Sequence, residues 1–119
     1  MSLRTFFSSP STTTEQAQLV RDKKALLVDI READEWCSGV AKGAVLLPLS
    51  DLNGARELWA PFLAQRGDRQ LLLYCASGAR SAYAAKILSA EGFPAADAGS
   101  IRNWDRAGWP VCKPRGCDR

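Results

Sequence analysis

The sequence contains no histidine. That absence removes Ser-His-Asp and Cys-His catalysis, His-ligated zinc and any imidazole general base. Chemistry in this chain must rest on cysteine, carboxylates, lysine, arginine or backbone amides. Long apolar runs are missing too. None approaches the roughly 20 residues that span a bilayer, so no membrane partner is expected. The opening Met1-Ser2-Leu3-Arg4-Thr5-Phe6-Phe7 lacks a long apolar core and does not read as a signal peptide. Basic runs are also lacking. The 16 Lys and Arg set against 13 Asp and Glu give a net charge of +3 that is spread along the chain. No basic stripe or interleaved aromatic motif suggests a nucleic-acid partner, whereas a pocket for a small anion fits the charge. There is no internal repeat, low-complexity tract or linker. A chain of 119 residues is then one domain with a single core.

Cysteine is present four times, at Cys37, Cys75, Cys112 and Cys117, with no Cys-x-x-Cys pair. Cys112 and Cys117 flank Lys113-Pro114-Arg115-Gly116, which leaves room for a metal clip or a local disulfide. Two ligands make a poor zinc site, so no metal or other cofactor is expected. Unevenly placed thiols in a chain able to build a core suggest a reducing compartment, hence a cytoplasmic location.

Thr12 and Glu15 have capping-box spacing and predict a helix over 13–21. Residues 1–10 read as an extended segment. Ala25-Leu26-Leu27-Val28, Ala44-Val45-Leu46-Leu47-Pro48 and Leu71-Leu72-Leu73-Tyr74 are short continuous apolar runs, as in strands buried on both faces. Residues 95–98 predict a weaker strand. Helical stretches are expected over 32–38, 49–65 with a break at Pro61, 79–91 stopped by Gly92, and 101–107. Strands alternating with helices predict a compact α/β domain with a parallel sheet. In such sheets ligands bind beyond the carboxyl ends of the strands, where Cys75 falls.

A cysteine at a strand end is by itself often a packing residue. Its sequel here argues otherwise. Ala76, Ser77, Gly78 and Ala79 are small enough for the backbone to curl and turn successive amides inward, with Gly78 able to supply a positive φ. The helix that follows adds its unpaired N-terminal amides. A thiol in that cradle is expected to ionise easily, with Arg80 as a fixed charge at the rim.

With these residues in place the sequence resembles a single-domain rhodanese-like sulfurtransferase over nearly its whole length. The resemblance rests on Leu27-Val28-Asp29-Ile30-Arg31-Glu32 with Trp36, and on Gly39, Lys42-Gly43-Ala44-Val45 and Pro48-Leu49. It continues through Tyr74-Cys75-Ala76-Ser77-Gly78-Ala79-Arg80-Ser81, Gly99-Ser100-Ile101-Arg102-Asn103-Trp104 and Ala107-Gly108-Trp109-Pro110-Val111. It implies a three-layer α/β domain over residues 1–111 with a central five-stranded parallel sheet, and a mobile tail over 112–119. It also implies that Cys75 is the catalytic persulfide carrier and that the amides of Ala76, Ser77, Gly78, Ala79, Arg80 and Ser81 bind the transferred sulfur. Arg80 would hold the anionic group of a donor such as thiosulfate or a persulfide, and a thiol, a protein or cyanide would accept the sulfur. Asp29 and Arg31 would form a supporting ion pair, and Trp36 and Trp104 would be core or pocket-wall aromatics. Val40 stands where the family commonly has histidine, and Gly99-Ser100 where it has Gly-Gly.

Phosphatases and arsenate reductases on the same fold place five residues between cysteine and arginine; this chain places four between Cys75 and Arg80. The shorter loop favours one sulfur atom over a tetrahedral oxyanion. A phosphatase would also need an acid for the leaving group; no carboxylate lies within the loop, though Asp97 or Asp105 could approach from elsewhere in the chain. A non-catalytic interaction module is disfavoured by the cysteine. A relay that passes persulfide sulfur to a partner protein, with a second thiol in the tail, is compatible with it.

Overall fold

The computed structural model describes residues 12–117. Within it the two richest apolar runs are neighbouring parallel strands. β1 (Ala25–Asp29) and β4 (Gln70–Cys75) pair from Ala25 against Gln70 to Asp29 against Tyr74. β3 (Val45–Leu46) flanks β1 and β5 (Ala95–Ser100) flanks β4, so the parallel sheet has the order β3-β1-β4-β5. The described residues supply four strands to this sheet, against the five that the resemblance implied. The extended segment expected over 1–10 lies outside them. A separate antiparallel pair joins β2 (Val40–Ala41) to β6 (Val111–Cys112).

Strand alternation divides the core into two layers. Leu71, Leu73 and Cys75 of β4 and Val28 of β1 face α3 (Leu49–Leu52), α4 (Trp59–Gln65) and α5 (Ala79–Ala90), where they meet Leu52, Trp59, Leu63, Ala84, Ala85 and Leu88. Leu27, Leu72 and Tyr74 face the other way, toward Ala17 of α1 (Thr13–Arg21) and Trp104 of α6 (Ile101–Arg106). Helices on both faces of a parallel sheet make the expected α/β sandwich. The continuous apolar runs follow from it, since β1 and β4 have no solvent face.

The capping box at Thr12 and Glu15 closes as the spacing predicts, and α1 begins at Thr13. Between Leu49 and Gln65 the helix is interrupted, but at residues 53–58 rather than at Pro61. Pro61 sits in the first turn of α4, where an amide has no intrahelical acceptor to lose. The chain reverses through Arg56 at φ 57°. The Asp51 carboxylate then accepts from the amides of Glu57, Leu58 and Trp59 at 2.9, 3.0 and 3.0 Å, which starts α4.

The tail is held at two points. Cys112 pairs with Val40 in the small sheet, and Cys117 forms a disulfide with Cys37, 80 residues away in sequence. The partner of Cys117 is thus not Cys112, as the local spacing allowed. Cys75 and Cys112 are the free cysteines, the first buried and the second exposed. Among the described residues no helix is long and apolar enough to cross a membrane.

Candidate active site

Cys75 is the last residue of β4 and points into the α3–α5 layer, fully buried. The loop that follows turns at once into α5. Gly78 makes this possible: it occupies the N-cap position at φ 98°, a conformation that side-chain-bearing residues adopt only with strain. The turn places the Gly78 amide 3.0 Å from the Cys75 sulfur, to which it donates. The Ser81 hydroxyl, also buried, lies 3.5 Å from the same sulfur. Ala79 does not join them, because its amide donates to Ser77 Oγ at 3.4 Å. Ala76, Ser77 and Ala79 form an exposed rim of small side chains over the sulfur.

Two opposing influences act on the thiol. Burial pushes it up. The Ser81 hydroxyl, when it donates to the sulfur, and the amides of Ser81, Gly78 and Ser77 outweigh that, and the thiol then lies below its ordinary value of 9.0. Hydrogen-bond donors thus favour the Cys75 thiolate, with no imidazole.

Arg80 stands near the rim, and it is not free. Its guanidinium makes a bidentate pair with Glu35 at 2.7 and 2.9 Å. Glu35 belongs to α2 (Ala33–Trp36), and its carboxylate also accepts from the Glu32 amide at 2.9 Å. Glu32 in turn accepts from the Ser50 hydroxyl at 2.7 Å. Glu35 is not among the residues that the sequence singles out. The signal available was the Glu32-x-x-Glu35 spacing of a capping box, which gives a carboxylate a fixed position.

The Arg80 guanidinium is the largest cause that holds the Glu35 carboxyl well below its ordinary 4.5, at about 2. A depressed carboxyl stabilises the fold above its unfolded value and loses that contribution as pH falls toward its folded value. Wild-type protein should therefore lose loop stability between pH 4.5 and about 2, where Glu35→Gln has nothing left to lose. Urea unfolding of both proteins across that window is expected to give converging midpoints; a constant difference would contradict the ion pair.

Asp29 and Arg31 form the expected pair. Arg31 Nη2 and Nε donate to the Asp29 carboxylate at 2.7 and 3.1–3.2 Å, and Nη2 also reaches the Gly39 carbonyl at 2.7 Å. Among the described residues no hydrogen bond joins this pair to residues 76–81. It ties the end of β1 to the turn before β2. Trp104 is fully buried and donates to the Ala98 carbonyl at 3.0 Å, while Trp36 is half-buried. Asp97 of β5 does approach the loop: its Oδ1 accepts from the Ser81 hydroxyl at 2.6 Å and from the Gly99 amide at 2.9 Å. Asp105 makes no such contact, lying with Arg31 and Arg102 along a cleft of about 270 Å³ that excludes the loop. Among the described residues no group of three or more Cys, Asp or Glu is arranged to hold a metal ion.

Residues 12–107 match the Rhodanese-like domain family, which is most of the chain. The chain belongs to this family. A sulfurtransferase of Allochromatium vinosum is 35% identical over 101 residues, covering 83% of this chain and 89% of that protein. The human thiosulfate:glutathione sulfurtransferase is 28% identical over 100 residues, covering 76% and 87%. Among solved structures, a rhodanese-related protein from Thermoplasma volcanium superposes with a TM-score of 0.71 at 28% identity, over 87% of this chain and 97% of its own. The rhodanese-like fold accounts for the parallel sheet and for helices on both of its faces.

Proposed function

We propose that this rhodanese-like domain is a thiosulfate sulfurtransferase that works through a persulfide on Cys75. The observation that carries the reading is a buried thiol with the Gly78 amide 3.0 Å from its sulfur, at the mouth of a four-residue loop. The Cys75 thiolate attacks the outer sulfur of thiosulfate. The sulfur–sulfur bond of the donor breaks, and sulfite leaves with the electron pair. Cys75 then carries the outer sulfur as a persulfide. A thiol or cyanide acceptor attacks that sulfur, and Cys75 departs as the thiolate, as in thiol–disulfide exchange.

Each loop residue has a part in this reading. The amides of Ser77, Gly78 and Ser81 stabilise the charged sulfur, and the small Ala76 and Ala79 leave the rim open to a donor. Arg80, positioned by Glu35, offers its remaining N–H groups to the anionic end of the donor. Asp29 and Arg31 support the framework. A small acceptor thiol or a partner protein is compatible with the open rim. The phosphatase alternative is weakened because the Asp97 oxygen nearest the loop already accepts two hydrogen bonds.

A persulfide intermediate requires double-displacement kinetics. Varying thiosulfate at several acceptor concentrations is expected to give parallel reciprocal plots; intersecting plots would contradict a free persulfide. In the same assay Arg80→Met should raise the KM for thiosulfate about tenfold, the equivalent of one charge-assisted hydrogen bond. An unchanged KM would remove Arg80 from donor binding.

A further inference from the structure

Ser81 has a single hydroxyl proton and several claimants for it. Its Oγ lies 2.6 Å from Asp97 Oδ1, 3.1 Å from the Gly78 carbonyl, 3.4 Å from the Gly99 carbonyl and 3.5 Å from the Cys75 sulfur. A hydroxyl donates once and accepts with its lone pairs. The contact to Asp97 is the shortest of the four and lies in the range of a hydrogen bond to a carboxylate. The proton therefore goes to Asp97.

A backbone irregularity brings Asp97 there. Leu73 pairs with Asp97 and Cys75 with Ser100, so β5 advances three residues where β4 advances two. Such a bulge re-aims a side chain beside a site. The Gly99 amide, donating to the same Oδ1 at 2.9 Å, fixes the carboxylate in place.

We propose that Asp97 is a positioning residue for Cys75 that acts through Ser81: by holding the Ser81 proton, it turns an oxygen lone pair rather than a donor toward the sulfur. The inference rests on the sulfurtransferase reading for its use, and on geometry alone for its existence. In the resting thiol, the Cys75 S–H donates to Ser81 Oγ. In the thiolate, the charge is carried by backbone amides and Ser81 withholds its hydrogen bond. Ser81 lowers the thiol only in the state in which its proton leaves Asp97 and faces sulfur.

The consequence is selective. A thiolate denied one hydrogen bond is a stronger nucleophile, because nucleophilicity falls with pKa. The inner sulfur of a persulfide carries no formal charge and loses nothing. Asp97 therefore raises the free thiolate relative to the loaded enzyme, which favours loading.

The other charged groups around the sulfur are few. Arg80 on α5 faces it and is occupied by Glu35 from α2, while Asp29 on β1 is occupied by Arg31. Asp97 on β5 is the carboxylate that reaches it through a hydrogen-bonded neighbour.

The test reads the thiol without any sulfur donor. The rate of Cys75 alkylation by iodoacetamide is followed against pH by peptide mass, which separates Cys75 from the exposed Cys112. Wild type, Asp97→Asn, Ser81→Ala and the double variant are compared, with circular dichroism as a check on folding. Asp97→Asn keeps an acceptor for the Gly99 amide and gives up the charge that holds the Ser81 proton. Its alkylation midpoint should fall by about one pH unit, the size of a hydrogen bond regained by a charged sulfur. In the Ser81→Ala background the same substitution should shift the midpoint by less than half as much.

Equal shifts in the two backgrounds would mean a through-space charge effect and would overturn the inference. So would an upward shift or none. If Asp97→Asn does not fold, Ser81→Ala decides alone: its midpoint should not rise, and a rise would show that Ser81 donates to the wild-type thiolate. Failure of thiosulfate to load sulfur, with these shifts intact, would overturn the proposed activity and leave the Asp97–Ser81 arrangement standing.

Discussion

Cys75→Ser is expected to lower sulfur transfer from thiosulfate to cyanide by about a thousandfold or more, the usual order for loss of a covalent nucleophile. A serine hydroxyl is close to cysteine in size, so the buried site at the end of β4 should fold around it. The hydroxyl cannot ionise near neutral pH and cannot hold a sulfane sulfur. The amides of the loop would then surround a neutral oxygen that does not attack. Cys112 is the natural control, being free and exposed in the small antiparallel sheet. Cys112→Ser should retain the activity that Cys75→Ser loses, measured by steady-state thiocyanate formation. Comparable activity in the two variants would place the chemistry elsewhere.

The largest effect on stability is expected at Asp29. Its side chain has 0% exposure and that of Arg31 4%, so both are almost wholly withdrawn from water. Asp29→Ala leaves a buried guanidinium with the Gly39 carbonyl as its remaining acceptor. Breaking one half of a buried pair costs about 3–5 kcal/mol, a large share of the roughly 5–15 kcal/mol that hold such a domain together. The urea midpoint should fall by about 1–3 M, with the slope unchanged. Replacing both partners, as Asp29→Leu with Arg31→Met, removes the charges together and should cost less than Asp29→Ala alone. A double variant less stable than the single one would show that the pair stabilises by its attraction, and that the burial of an uncompensated charge is the smaller effect.

The sequence made the local features legible and left the long-range ones hidden. The capping box at Thr12 is set by residues three apart, and the buried strands by four or five consecutive apolar positions. The loop after Cys75 could be read because its ingredients are contiguous: a strand end, small residues, a glycine and a helix start. Glu35 and Arg80 are 45 residues apart, and their pairing depends on where α2 settles over the loop. Cys37 and Cys117 are 80 apart, and the spacing of Cys112 and Cys117 pointed elsewhere. The two-residue strands β2 and β6 carry too little pattern to be recognised. Asp97 could be named in advance as an acid able to approach. Which group it approaches follows from one extra residue in the pairing of β5 with β4, which no side-chain pattern announces. Pro61 misled for a related reason, because a proline marks a helix break or a helix start depending on its position in the turn.

The central claim, a persulfide on Cys75, is tested most directly by intact mass after incubation with thiosulfate and removal of the excess. Wild-type protein is expected to gain one sulfur atom per chain, to lose it on addition of cyanide, and to gain none as Cys75→Ser. No added sulfur on the wild-type chain, or equal loading of the serine variant, would contradict it.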